Sequence, residues 1–236
     1  MNKRKRLRLL VSGVGGGSHG LEILKALRIS KLDCVIYAAD MDKKSFGFFL
    51  SDGNYVLPPA TDSRYMPLIL KICREKEIKI VFHGSESVLK IISDNRGLLE
   101  NQGVFLPFNS QEVIRLCTNK KETFDYLNKL KLPIPRTLAI KHEQDLRLVD
   151  FFPVIIKPYL DSGGSSNAFI ARNKKELLFF FRFISSSNSN LLVQEYVGTH
   201  ENEYTVGILS DRDGRVVSGV AIRRFILSSM FNRYKA

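Results

Sequence analysis

Apolar positions in the first half of the chain alternate between two spacings. Arg8–Ser12 is a short apolar run that predicts a strand, and Gly13–Gly20 follows as a glycine-rich turn. Leu21, Leu24, Ala26 and Leu27 then recur at helical spacing, predicting a helix over Leu21–Ile29. Asp33–Ala39 predicts a second strand, closed by Asp40. The alternation continues with a short strand at Tyr55–Leu57, a helix at Tyr65–Lys76, a strand at Ile78–Phe82 and a helix from about Ser85 to Ile92. A helical piece around Asp94–Asn101, a strand at Val104–Leu106 and a helix at Gln111–Cys117 close the set. Strands alternating with helices predict an α/β domain with a doubly wound parallel sheet, ending near residue 118.

The second half has a different rhythm. Asn119 stands three residues before Glu122, a helix-start signature that puts Lys120 and Lys121 in the first turn. Pro133 and Pro135 end that helix. Strands are predicted at Thr137–Ile140, Val154–Ile156, Ala168–Arg172 and Leu191–Val197. Lys174–Ile184 predicts a helix with an apolar face of Leu177, Leu178, Phe180, Phe181 and Ile184. Glu203–Ser210 and Arg215–Arg224 read as a hairpin about the turn Asp211–Gly214.

Composition narrows the class. The 236 residues are 44% hydrophobic and 25% charged, values of an ordinary globular protein with room for one or two cores. No apolar run reaches the length of a membrane span, and the basic residues 3–8 precede too short an apolar stretch for a signal peptide. Cys34, Cys73 and Cys117 are odd in number and far apart, which fits a reducing cytoplasm better than a disulfide framework or a zinc site. The net charge of +12 points to anionic partners. It is spread along the chain without a nucleic-acid motif, so a solvated basic surface is the plainer reading and neither nucleic acid nor membrane is expected.

Candidate chemistry gathers at three places. The strand Val154–Ile156 delivers Lys157, and Pro158 ends its ladder because it has no N–H to donate. Asp161–Asn167 follows, all small or polar, with Gly163 and Gly164 at its centre; such a loop can turn several N–H groups toward one anion. The same residues would equally make a plain surface hairpin. Lys120 and Lys121 oppose the dipole of their own helix, which an anion nearby, or full solvation, would relieve. Third, Gly13-x-Gly15 with Asp40 after the next strand is similar to the start of a dinucleotide fingerprint, but Ser18 occupies the third glycine position. His83 and Glu86 follow a strand end, where open α/β sheets bind ligands.

Four features stand in one order: Asn119-Lys120; Pro153–Pro158 with Gly163–Ser166; Gln194–Gly198; and Glu201–Val206. Together they resemble the ATP-grasp superfamily, and within it proteins like the carbamoyl-phosphate synthase large subunit. Ser51–Pro58 resembles the Ala-Asp-x-x-Tyr-x-x-Pro element of the domain that precedes the ATP-grasp fold. The resemblance implies a Rossmann-like pre-ATP-grasp domain over 1–118 and an incomplete α+β ATP-grasp domain over 119–236. In the latter, 119–198 would be the nucleotide-binding part and 199–236 the start of a C-terminal part. It implies ATP as cofactor, with Lys120 and Lys157 on phosphate and Ser162, Gly163, Gly164, Ser165 and Ser166 in the lid. Glu195, Tyr196 and Val197 would meet adenine, and Glu203 the ribose. Arg223 or Arg224 would stand near phosphate or substrate; no other catalytic residue is legible.

Magnesium is implied as well, but the Glu-x-Asn ligands of the family have no match before Ala236, so no metal ligand is expected within this chain. The implied reaction activates a carboxylate or bicarbonate as an acyl-phosphate, which an amine then attacks, with small carboxylates and amines as partners. Self-association stays open. Two alternatives stand beside it: a shortened nucleotide-binding module without turnover, and a nicotinamide-binding protein built on Gly13–Gly20.

Overall fold

The computed structural model describes residues 6–160, 167–186, 190–199 and 202–223. The chain divides into two compact units, the first ending at Arg115 and the second starting at Leu116.

The first unit is built on four parallel strands, β1 (Leu7–Ser12), β2 (Cys34–Asp40), β3 (Gly53–Val56) and β4 (Ile80–His83), in the order β3-β2-β1-β4. Helix α1 (His19–Ile29) joins β1 to β2, and α2 (Tyr65–Glu75) joins β3 to β4. Helices α3 (Glu86–Asp94), α4 (Arg96–Glu100) and α5 (Gln111–Thr118) follow. Successive strand residues face opposite ways. Leu9 and Val11 therefore pack with Leu24 and Ile36 on one side. Leu10 and Val81 pack with Ile69, Ile72, Val88 and Ile92 on the other. Both faces are covered, as the doubly wound pattern requires.

The strand expected at Val104–Leu106 is reduced to a single parallel bridge between Phe105 and Ile80. Pro107 follows at once and has no N–H to extend a ladder. The periodicity also missed two 3-10 turns, Phe46–Leu50 and Glu143–Leu148.

The second unit opens with α6 (Lys120–Lys129). Its sheet contains β5 (Thr137–Ile140), β6 (Val154–Pro158), β7 (Phe169–Ala171) and β8 (Leu191–Glu195), in the order β5-β8-β6-β7 with every pairing antiparallel. Helix α7 (Lys174–Ser185) covers one face, where Leu177, Phe181 and Ile184 meet Ile140, Val154, Ile156, Leu191 and Val193. Each such side chain, fully buried, contributes about 1.5–3 kcal/mol. Strands β9 (Tyr204–Ser210) and β10 (Val216–Arg223) form a separate antiparallel hairpin. Every residue of both strands is exposed, including Val206, Ile208, Leu209, Val220 and Ile222. Among the described residues no helix is long and apolar enough to cross a membrane.

Candidate nucleotide-binding face

The face of the β5-β8-β6-β7 sheet opposite α7 follows from strand register. Thr137 lies opposite Gln194, Ala139 opposite Leu192, Lys157 opposite Leu192, and Ile155 opposite both Gln194 and Ile170. Strand alternation then puts Thr137, Ala139, Ile155, Lys157, Ile170, Leu192 and Gln194 on one surface. This surface carries a lysine and an amide, where the other face is apolar except for Glu195 at the end of β8.

Lys157 is half-buried, and its Nζ donates to Gln194 Oε1 at 2.8 Å. The ammonium stands 5.8 Å from the centre of the Phe124 ring, on α6. Burial, followed by the charge of Lys120, pushes its pKa down to about 8. Lys120 reaches the neighbourhood because the start of α6 is tied to the end of β6. The Lys120 N–H donates to the Tyr159 carbonyl at 3.2 Å, and the Tyr159 N–H to the Asn190 carbonyl at 3.0 Å. Asn119 caps the helix, its Oδ1 accepting from Lys121 N at 3.1 Å and Glu122 N at 3.3 Å. The Glu122 carboxylate answers by accepting from the Asn119 side-chain amide at 2.8 Å. Lys121 is engaged by Asp125 at 2.6 Å, which raises its pKa.

The second unit carries two concavities along this sheet. One, of about 280 Å³, lies against Phe124, Pro135, Thr137, Ala139 and Leu192, so it shares Phe124 and Thr137 with the Lys157 surroundings. The other, of about 500 Å³, is lined by Phe152, Pro153, Ile170, Arg172, Tyr196 and Thr199. A half-buried cation on a sheet face that also borders a half-apolar hollow is a form that suits a ligand with an apolar body and an anionic group.

The other predicted residues are placed as follows. Glu195 ends β8 on the side opposite Gln194, and its carboxylate accepts from the Arg136 N–H at 3.2 Å and lies 3.6 Å from the Arg136 guanidinium. Its own N–H donates to the Arg136 carbonyl, and the Tyr196 N–H to the Pro153 carbonyl. Tyr196 lines the larger hollow, and Val197 is exposed. Glu203 precedes β9 and Arg223 ends β10. Ser162, Gly163, Gly164, Ser165, Ser166 and Arg224 lie outside the described residues. Sequence reasoning missed Gln194 as a functional residue. The signal was present: one buried amide, 6% exposed, in the otherwise apolar run Leu191–Val193.

In the first unit, Ser12 Oγ and Tyr65 Oη share a buried hydrogen bond of 2.7 Å at the end of β1. The β1–α1 and β4–α3 turns touch through glycines: a Cβ on Gly20 would lie 2.2 Å from the Gly13 carbonyl oxygen, and one on Gly84 1.9 Å from it. Burial, then the charge of His19, lowers the pKa of His83, whose ring meets Phe108 edge-on. Asp40 Oδ1 accepts from the Asp42 N–H at 3.0 Å. Among the described residues no three of His, Cys, Asp and Glu stand close enough to hold a metal ion.

The family described as PylC-like, N-terminal domain, matches residues 10–107. The arginine-specific large chain of carbamoyl phosphate synthase from Bacillus subtilis (strain 168) is 30% identical over 128 residues, half of this chain and 12% of that one. Among solved structures, N5-carboxyaminoimidazole ribonucleotide synthetase in complex with ADP has a TM-score of 0.69 at 15% identity, over 92% of this chain and 54% of that one. Biotin carboxylase from Campylobacter jejuni, in an ATP-analogue complex, has a TM-score of 0.65 at 15% identity, over 90% of this chain and 50% of that one. The synthetase from Staphylococcus aureus with ADP gives 0.65 at 13% identity, over 87% and 51%. The chain spans about half the length of these structures. What they share with it is the fold: a parallel-sheet domain followed by part of a second, antiparallel module.

Proposed function

We propose that this chain, which carries the ATP-grasp superfamily fold as a pre-ATP-grasp domain followed by part of an ATP-grasp module, binds ATP on the Lys157 face of its second sheet. One observation supports this most directly. Lys157 is half-buried, stands beside a second lysine and donates to a neutral amide, so its charge is left for a ligand. Burying a cation without a carboxylate costs free energy that an incoming phosphate returns.

In this reading Lys120 and Lys157 hold phosphate oxygens as point charges. The resemblance also assigns phosphate contacts to residues 162–166, which lie outside the described residues. The backbone of Glu195, Tyr196 and Val197 meets adenine, while the Glu195 side chain keeps Arg136 in place. Glu203 takes the ribose hydroxyls, and Arg223 or Arg224 faces the phosphates or the acceptor. The activity is ligase-type. A carboxylate or bicarbonate oxygen attacks the γ-phosphorus and ADP leaves; an amine nitrogen then attacks the acyl carbon and phosphate leaves. The protein's part is to position the reactants and stabilise charge. The described residues offer no cluster that fits a metal, so no step is assigned to magnesium.

The test is calorimetric titration with ATP, adenosine and NAD, followed by a phosphate-release assay over a panel of carboxylates and amines. ATP binding stronger than NAD binding is expected. NAD binding with no ATP binding would end this reading in favour of the Gly13–Gly20 turn as a dinucleotide site. ATP binding without phosphate release would reduce the chain to a nucleotide-binding module.

A further inference from the structure

We propose that Gln194 and Thr137 are positioning residues that keep the Lys157 ammonium aimed and uncompensated, so that this face selects polyanionic over neutral ligands. The inference rests on the ATP reading for its meaning, and on hydrogen-bond geometry for its substance.

Three hydrogen bonds run in one direction. The Thr137 hydroxyl donates to the Pro135 carbonyl at 2.9 Å. Its single proton is thereby spent, and toward Gln194 it can only accept. Gln194 therefore presents its NH₂ to Thr137, at 2.9 Å. That fixes the amide orientation and leaves Oε1 facing Lys157, at 2.8 Å. A reversed amide would set N–H against N–H⁺ at one end and oxygen against oxygen at the other. The order of the relay is thus decided by a backbone carbonyl, that of Pro135, which cannot itself turn round.

The choice of an amide has a consequence for charge. A glutamate at position 194 would reach the same place and form an ion pair with Lys157. It would neutralise the ammonium and repel any phosphate nearby. Glutamine supplies direction with no net charge. The surroundings agree. Of the charges on α6, Lys121 is paired with Asp125, Glu122 accepts from the Asn119 amide, and Lys120 is the one that acts on Lys157, which it repels; β5 offers the neutral Thr137, and the carboxylate next along β8, Glu195, is turned to Arg136.

The relay is tested on the whole chain with Gln194→Glu, Thr137→Val and Thr137→Ser. The Lys157 side-chain methylene signals are followed by NMR through pH, assigned by their loss in Lys157→Met, and ATP and adenosine affinities are measured in parallel. Gln194→Glu is expected to move the Lys157 titration upward, because a carboxylate favours the charged amine. It should weaken ATP about tenfold or more while leaving adenosine within about twofold, a charged hydrogen bond being replaced by a competing anion. Thr137→Val should weaken ATP several-fold, about the effect of freeing one buried hydrogen bond, and Thr137→Ser should restore it. The relay is overturned if Gln194→Glu leaves the Lys157 titration unmoved, or if serine at 137 fares no better than valine. Should Gln194→Glu fail to fold, the Thr137 pair decides, since Thr137→Val keeps the volume of the site and Thr137→Ser removes only a methyl group. A wild-type chain that binds no ATP removes the nucleotide reading alone, because the titrations need no nucleotide.

Discussion

If Lys157 holds ATP phosphate as proposed, ATP binding becomes a function of pH in a window where few lysines titrate. Its midpoint of about 8 compares with an ordinary 10.5, burial being the first cause and Lys120 the second. The ammonium fraction of the free protein then falls from about 90% at pH 7 to about 10% at pH 9. Phosphate binds the charged form, so binding takes up a proton wherever the free amine is neutral. If bound phosphate returns the amine to 10.5, linkage makes ATP affinity fall about tenfold between pH 7 and pH 9, ~1.4 kcal/mol. Stability runs the other way. The unfolded chain keeps this proton up to 10.5 and the folded chain loses it near 8, so this group adds stability as pH rises between the two. The assay is calorimetry at several pH values, in buffers of different ionisation enthalpy, so that proton uptake is counted directly. Adenosine, which has no phosphate, should show no such dependence. Lys157→Arg, charged throughout, should flatten the ATP profile. A flat wild-type profile with no proton uptake would refute the reasoning, since it would mean that Lys157 is either charged throughout or unused.

Lys120→Ala should weaken ATP and raise the Lys157 titration midpoint, because it removes a repelling charge; NMR and calorimetry on one variant check both. Gly84→Ala should destabilise the first unit by about 1–3 kcal/mol through overpacking against the Gly13 carbonyl, read as a lower urea midpoint. Ile156→Ala should cost the second unit about 2–5 kcal/mol by opening a cavity under α7, read in the same way. Asn119→Ala should cost about 0.5–2 kcal/mol by uncapping α6, and should also loosen Lys120 enough to weaken ATP.

Local signals in the sequence carried a good part of this picture. The helix start at Asn119 is visible because capping needs only neighbours, and Lys157 at a strand end is visible because Pro158 stops the ladder. The doubly wound pattern of the first unit is readable from spacing, since both faces of its sheet are covered by what comes next in the chain. Val104–Leu106 misled because an apolar triplet reads as a strand whether or not a partner lies within reach. The 3-10 turn at Phe46–Leu50 has no period to detect. The relay through Thr137 and Gln194 joins residues 57 apart, and the pairing of Arg136 with Glu195 joins residues 59 apart. Both depend on how β5 and β8 are placed in register, which no local pattern encodes. The same register explains why Gln194, and not the acidic Glu195 beside it, shares a face with Lys157.

The β9–β10 hairpin has a practical consequence for anyone purifying this chain. Tyr204, Val206 and Ile208 point one way and Leu209, Val220 and Ile222 the other, all of them wetted. Among the described residues its two outer backbone edges have no strand beside them. Charge is confined to its ends, at Asp211, Arg212, Asp213, Arg215 and Arg223, where it cannot interrupt the middle of a growing stack. An uncovered apolar ribbon of this kind is a template for like strands of other molecules. The chain should therefore lose solubility steeply with concentration, and Val206→Lys together with Val220→Lys should raise the concentration at which light scattering begins without moving the Lys157 titration.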